Sequence, residues 1–203
     1  MITAMISVIL SFTLFALSQV GTPGPANMVL LSTGAKYGLK KAIPFVLGVI
    51  FGKQLIIWPI GFGLIGVISN MPIVFTFLKV ISAAYILWLS YKIANLRLDI
   101  KDLSGTPPGF FAGLIVHPLN PKAWGMVITG YTSFISNEMS MLSAILTISI
   151  ILLFTQIVLH PLWCWGGQRL ALLVKGKTHE RYLMWILASL TLISVFYALS
   201  QGF

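Results

Sequence analysis

Apolar runs longer than 18 residues recur along the whole chain of 203 residues, and only short connections separate them. A run of that length crosses the ~30 Å hydrocarbon core of a bilayer as a helix. The chain carries 8% charged residues, where a soluble domain carries about 25%, and it is 58% hydrophobic. These features predict an all-α integral membrane protein, a single transmembrane domain over residues 1–203 with the lipid bilayer as its surroundings. Six spans fit, at roughly 3–35, 42–68, 72–95, 108–136, 139–168 and 180–202. The opening stretch has no basic region ahead of its apolar run and no small-residue cleavage site, so it is taken as the first span and not as a removable signal peptide. Cys164 is the sole cysteine, which excludes a disulfide within the chain and a dithiol redox pair.

The net charge of +9 would suit nucleic acid, but its position argues otherwise. Loop 1–2 holds Lys36, Lys40 and Lys41. Loop 3–4 holds Lys92, Arg97 and Lys101 beside Asp99 and Asp102, and loop 5–6 holds Arg169, Lys175, Lys177 and Arg181. The opposite face carries Glu138 and no basic residue. Charge sorted in this way reports topology and no nucleic-acid partner: the positive-inside rule places loops 1–2, 3–4 and 5–6 in the cytoplasm and both termini outside.

The two halves resemble each other. "PANMVLLSTG" from Pro25 aligns with "PKAWGMVITG" from Pro121, "QLIIWP" from Gln54 with "QIVLHP" from Gln156, and "LKVISAAY" from Leu78 with "LMWILASL" from Leu183. The offsets grow slowly, from 96 (25 to 121) to 102 (54 to 156) and 105 (78 to 183). Repeat 1 is then about 3–95 and repeat 2 about 108–202. With three spans in each copy the second is inverted in the membrane, an arrangement many secondary transporters share.

The first span of each repeat is interrupted, at "TPGP" (Thr22 to Pro25) and at "HPLNPK" (His117 to Lys122). Proline removes a backbone donor and restrains the residue before it, while Pro25 and Pro121 suit the first position of a new half-helix. A continuous helix over 3–35 would be about 50 Å long, and the half-helices starting at Pro25 and Pro121 run about 18 and 24 Å. Spans 1 and 4 are therefore expected to break near mid-membrane, where unwound backbone is tolerated only in buried or cavity-lining positions. Two helix N-termini with free N–H groups would meet there and together hold a carboxylate.

Polar residues in the spans add to this. Lys122 follows Pro121; a lysine at that depth marks a substrate or ion path, either binding a carboxylate or carrying a proton. Lys53 lies in the middle of span 2, while Lys79 can snorkel outward. Asn27 and Asn120 flank the breaks and serve either the ligand or the freed backbone groups. Gln54, Gln156 and His160 occupy matched positions of spans 2 and 5; His160 is either a packing histidine or a proton shuttle. Gly48 and Gly52 form a G-xxx-G that permits close helix approach, and Trp58, Trp124 and Trp163 pack or anchor. No acidic residue lies deep in any span, which suits an anionic or zwitterionic ligand.

The stretches "TPGPANMVLLSTGAKYGLKKAIPFVLGVIFG", "FLKVISAAYILWLSYK" and "GFFAGLIVHPLNPKAWGMVITGYTSFI" resemble the LysE/RhtB family of amino-acid exporters over about residues 15 to 200. The resemblance rests on P-G-P-x-N (Pro23, Gly24, Pro25, Asn27) and N-P-K (Asn120, Pro121, Lys122). It implies a dimeric bacterial inner-membrane exporter of amino acids or related metabolites, driven by the proton motive force and without a bound cofactor. In one departure, Gly52-Lys53 stands where family members commonly have Gly-Asp. That inverts the local charge and favours neutral or acidic substrates over basic ones.

Enzymatic readings fail on their residues. There is no G-x-S-x-G element for a serine nucleophile, one cysteine cannot relay electrons as a dithiol, and His117, His160 and His179 are too scattered in sequence to predict a metal site. The expectation is a secondary active exporter working by alternating access. The alternative is a passive channel or an accessory membrane subunit for small solutes.

Overall fold

A computed structural model of the chain describes residues 2–63, 72–95, 106–135, 139–174 and 179–200. Among these residues there are nine α-helices and no strand: α1 (Ile2–Gly21), α2 (Pro25–Tyr37), α3 (Leu39–Gly52), α4 (Gln54–Gly61), α5 (Pro72–Ala94), α6 (Phe110–Leu114), α7 (Pro121–Phe134), α8 (Met141–Val174) and α9 (His179–Ser200). The path Leu39–Gly61 and helix α8 are each long and apolar enough to cross a membrane. Residues Ile6–Gly21 and Pro25–Tyr37 supply a third crossing if the pair, bent by 52°, is one span. Arg97, Lys101, Asp99, Asp102, Glu138, Lys175 and Lys177 lie outside the described residues.

Both interrupted spans are seen. Thr22–Gly24 is non-helical between α1 and α2, with Gly24 extended and Pro25 at the first helical position. In the second half the helix stops earlier than the prolines alone suggest: α6 ends at Leu114, Ile115–Leu119 form turns, and α7 starts at Pro121. Lys122 is thus inside α7 and not within the break. The fifth span also differs from its expected end at 168. Helix α8 continues through 34 residues to Val174, so Arg169 sits on a helix, with its guanidinium 5.1 Å from the ring centre of Trp165. A long cationic side chain beside an aromatic ring extends a helix past the apolar core without burying the charge.

Two apolar clusters organise the molecule. One gathers Val29, Leu30, Leu31, Phe45, Val49, Cys164, Ala171 and Met184; the other gathers Phe12, Val20, Ile56, Ile57, Val127, Ile148 and Leu152. Four stretches of chain pass from one cluster to the other. Helix α8 runs from Leu152 to Cys164 with His160 between them, and the α3–α4 path from Val49 to Ile56 with Lys53 between. The α1–α2 pair changes cluster between Val20 and Ala26, and the α6–α7 pair between Val116 and Ala123. Polar residues of all four stretches therefore collect at one level between two apolar blocks.

Glycine lets the helices approach at that level. A Cβ on Gly48 or Gly52 would strike the carbonyls of Phe110 and Leu114, and one on Gly113 the carbonyl of Phe45, so α3 and α6 touch backbone to backbone. Gly34 faces the Cys164 carbonyl and Gly167 the Leu31 carbonyl in the same way, locking α2 to α8. Without a hydrophobic drive between helices in lipid, such packing supplies the association. Leu10, Leu14, Phe111, Phe154 and Leu172 are exposed on the outside, as expected of surfaces that meet acyl chains.

Candidate functional site

The two breaks meet. Lys122, from the second, reaches across to the first: its ammonium donates to Thr22 Oγ1 at 2.7 Å and to the Pro23 carbonyl at 3.3 Å. Gly24 makes room for it, since a Cβ there would lie 3.1 Å from Lys122 Cδ. In the aligned repeats Gly24 corresponds to Asn120 and Ala26 to Lys122. The first break thus carries small residues where the second carries the polar side chains that lie against it.

The asparagines do different work. Asn27 is buried, and its amide donates to the carbonyls of Val20 and Thr22, both at 2.7 Å, closing the frayed end of α1. Asn120 caps α7, with Oδ1 accepting from the Lys122 N–H at 3.1 Å, and its backbone carbonyl accepts from Ala123 at 2.9 Å. Trp124 braces the same break by donating to the Pro118 carbonyl at 2.9 Å. The expected pair of open helix N-termini is therefore reduced to one. Asn120 occupies the donors of α7, whereas α2 has no side-chain cap and the N–H groups of Ala26 and Asn27 find no acceptor among the described residues. The cause is local: asparagine at the N-cap accepts from the first turn, and glycine at the same place cannot.

Lys122, Lys53, His117, His160, Asn27 and Asn120 line one cavity of about 20 Å³ together with Gln19 and Met126, and no aspartate or glutamate lines it. That volume admits a water molecule, and the Lys122 side chain forms part of its wall. Lys53 is 3% exposed, and the one acceptor found for it among the described residues is Met126 Sδ at 3.4 Å. His117 was weighed in the sequence only as a scattered metal ligand. In the fold it stacks on His160, with ring centres 5.5 Å apart and planes at 25°. Among the described residues neither nitrogen of His117 has a partner, and His160 Nδ1 has none. Among the described residues no group of three or more His, Cys, Asp or Glu is placed to hold a metal ion.

The matched glutamines separate. Gln54 accepts from Ser149 Oγ at 2.6 Å and Trp58 Nε1 at 3.2 Å. Gln156 is fully buried, and neither of its amide atoms has a partner among the described residues. Thr22, His117 and Met126 were absent from the sequence-derived site. A histidine beside a proline break was the available signal for His117 and a place inside the first break the signal for Thr22; nothing local marked Met126.

Residues 17–201 match the protein family described as LysE type translocator. The chain is similar to a cysteine/O-acetylserine efflux protein of Klebsiella pneumoniae, 31% identical over 196 residues that cover 94% of each chain. It is also similar to proteins of the same description from Salmonella choleraesuis, 29% identical, and Escherichia coli K12, 27% identical. Each of those matches covers 161 residues, 78% of this chain and 81% of the relative. No solved structure matches.

Proposed function

The chain belongs to the LysE type translocator family, and on that premise we propose that it is a secondary active exporter of small amino acids or related metabolites in the bacterial inner membrane. Neutral or acidic substrates are favoured over basic ones, and the proton motive force drives transport. The description of the relatives as cysteine/O-acetylserine efflux proteins supports a small polar amino acid. The observation that carries the reading is the Lys122 ammonium, held by Thr22 and Pro23 of the opposite break in a cavity without any acidic side chain.

A substrate carboxylate competes for that ammonium, and the uncapped N-terminus of α2 offers it further donors. Once Lys122 turns to the carboxylate, Thr22 Oγ1 and the Pro23 carbonyl are free to accept from the α-ammonium group. The exchange replaces each hydrogen bond it breaks, so binding opens the site without leaving a buried charge bare.

The two breaks belong, in this reading, to two inverted repeats that rock about the site. In support, α2 and α7 both start at aligned prolines. The placing of basic corners 1–2 and 5–6 on one face is supported by a contact between them: the Leu39 N–H, next to Lys40 and Lys41, donates to Gln168 Oε1 at 2.8 Å beside Arg169.

Reconstitution in liposomes tests the proposal. Amino-acid accumulation against its gradient, dependent on ΔpH or membrane potential, is expected for the wild-type chain and lost in Lys122→Gln, which should still insert. Accumulation by that variant at the wild-type rate removes Lys122 from the mechanism; flux that only equilibrates the two sides makes the protein a channel.

A further inference from the structure

We propose that Lys53, His117 and His160 form a second subsite that reads the end of the substrate side chain, and that this end is a carboxylate or another group that only accepts hydrogen bonds. The inference rests on the exporter reading above and names the substrate class of the same cavity.

Its basis is an imbalance between the two lysines. Lys122 has oxygen partners at 2.7 and 3.3 Å, whereas Lys53, deeper and 3% exposed, has a thioether at 3.4 Å. A thioether is a weak acceptor, and an ammonium held away from water without an oxygen or a counter-ion is costly. Beside it are two imidazoles, 3% and 1% exposed, with three ring nitrogens between them lacking a partner among the described residues. Gln156 extends the group one turn back from His160 on α8, also without a partner.

All three site residues border the cavity that Lys122 borders. Every protonation state of the trio keeps N–H donors on Lys53 and on each imidazole at the cavity wall, and a neutral imidazole keeps one acceptor besides. A carboxylate satisfies those donors and the charge together, and an ester carbonyl satisfies the donors. An alkyl end satisfies neither, and a cationic end meets Lys53 as a like charge. The α-carboxylate at Lys122 and the side-chain end at Lys53 then fix both ends of a short amino acid.

Calorimetric titration of the full chain in nanodiscs tests this with four short amino acids that differ at the side-chain end: aspartate, O-acetylserine, alanine and 2,3-diaminopropionate. Aspartate is expected to bind at least ~10-fold more tightly than alanine, with O-acetylserine between them and diaminopropionate weakest. Lys53→Met should cost aspartate about tenfold and alanine less than threefold, and Lys53→Asp should move diaminopropionate above aspartate. Alanine binding as tightly as aspartate to the wild type would overturn the subsite without any variant, as would Lys53→Met weakening both ligands equally. In either case the exporter reading survives if Lys122→Gln abolishes binding of all four. Absence of binding by every amino acid overturns both.

Discussion

The break at Thr22–Gly24 and the break at Ile115–Asn120 interrupt aligned spans, yet they are not copies. The first is built from small residues, keeps the N-terminus of α2 uncapped, and closes the carbonyl end of α1 with Asn27. The second caps its own helix with Asn120 and sends Lys122 outward onto its partner. One break receives and the other reaches. The two segments share a proline that starts the following helix, but their side chains take complementary roles.

That division predicts unequal effects. The largest should come from Lys122: Lys122→Gln is expected to reduce transport at least ~50-fold, because the charged hydrogen bond to the substrate carboxylate is lost, whereas Ala26→Lys at the aligned position of the first break should not restore it. Rescue by Ala26→Lys in the Lys122→Gln background would show that the breaks are interchangeable. The asparagines come next. Asn27→Ala leaves two carbonyls without their donor and should lower stability by about 1–2 kcal/mol. Asn120→Ala removes one cap, at roughly 0.5–1 kcal/mol in exposed hosts. Thermal unfolding in detergent measures both, and equal losses would refute the proposed division. Gly24→Ala presses on the Lys122 side chain, whose end is flexible, and should slow transport only a few-fold. The matched glutamines give the smallest contrast. Gln156→Leu is expected to be neutral or slightly stabilising, since it removes an unsatisfied buried amide, while Gln54→Leu should cost about 1 kcal/mol. A larger loss for Gln156→Leu would mean that its amide is in use.

The breaks were legible because proline and glycine act on their immediate neighbours: α2 and α7 start at the residues the sequence indicates. The G-xxx-G of Gly48 and Gly52 was legible as a close contact, but not that Gly113 faces it from α6. Where the second break begins was misjudged, because Ile115 and Val116 carry no local mark of a turn. The pairing of His117 with His160, and the reach of Lys122 to Thr22 across 100 positions of chain, depend on how four stretches change cluster at one level. No short window of sequence contains that information. The same limit hid the difference between Gln54 and Gln156, whose surrounding residues align well and whose neighbours in space do not.

The backbone contacts at Gly34 and Gly167 have a mechanical consequence. With the carbonyls of Cys164 and Leu31 seated where side chains would be, α2 cannot slide along α8, and the two helices act as one lever. The contacts of Gly48, Gly52 and Gly113 make a second lever of α3 and α6. The unwound chain at Thr22–Gly24 and Ile115–Asn120 joins each lever to a helix outside it, α1 and α7 respectively, so in the proposed transport cycle the segments assigned to the ligand would also serve as joints.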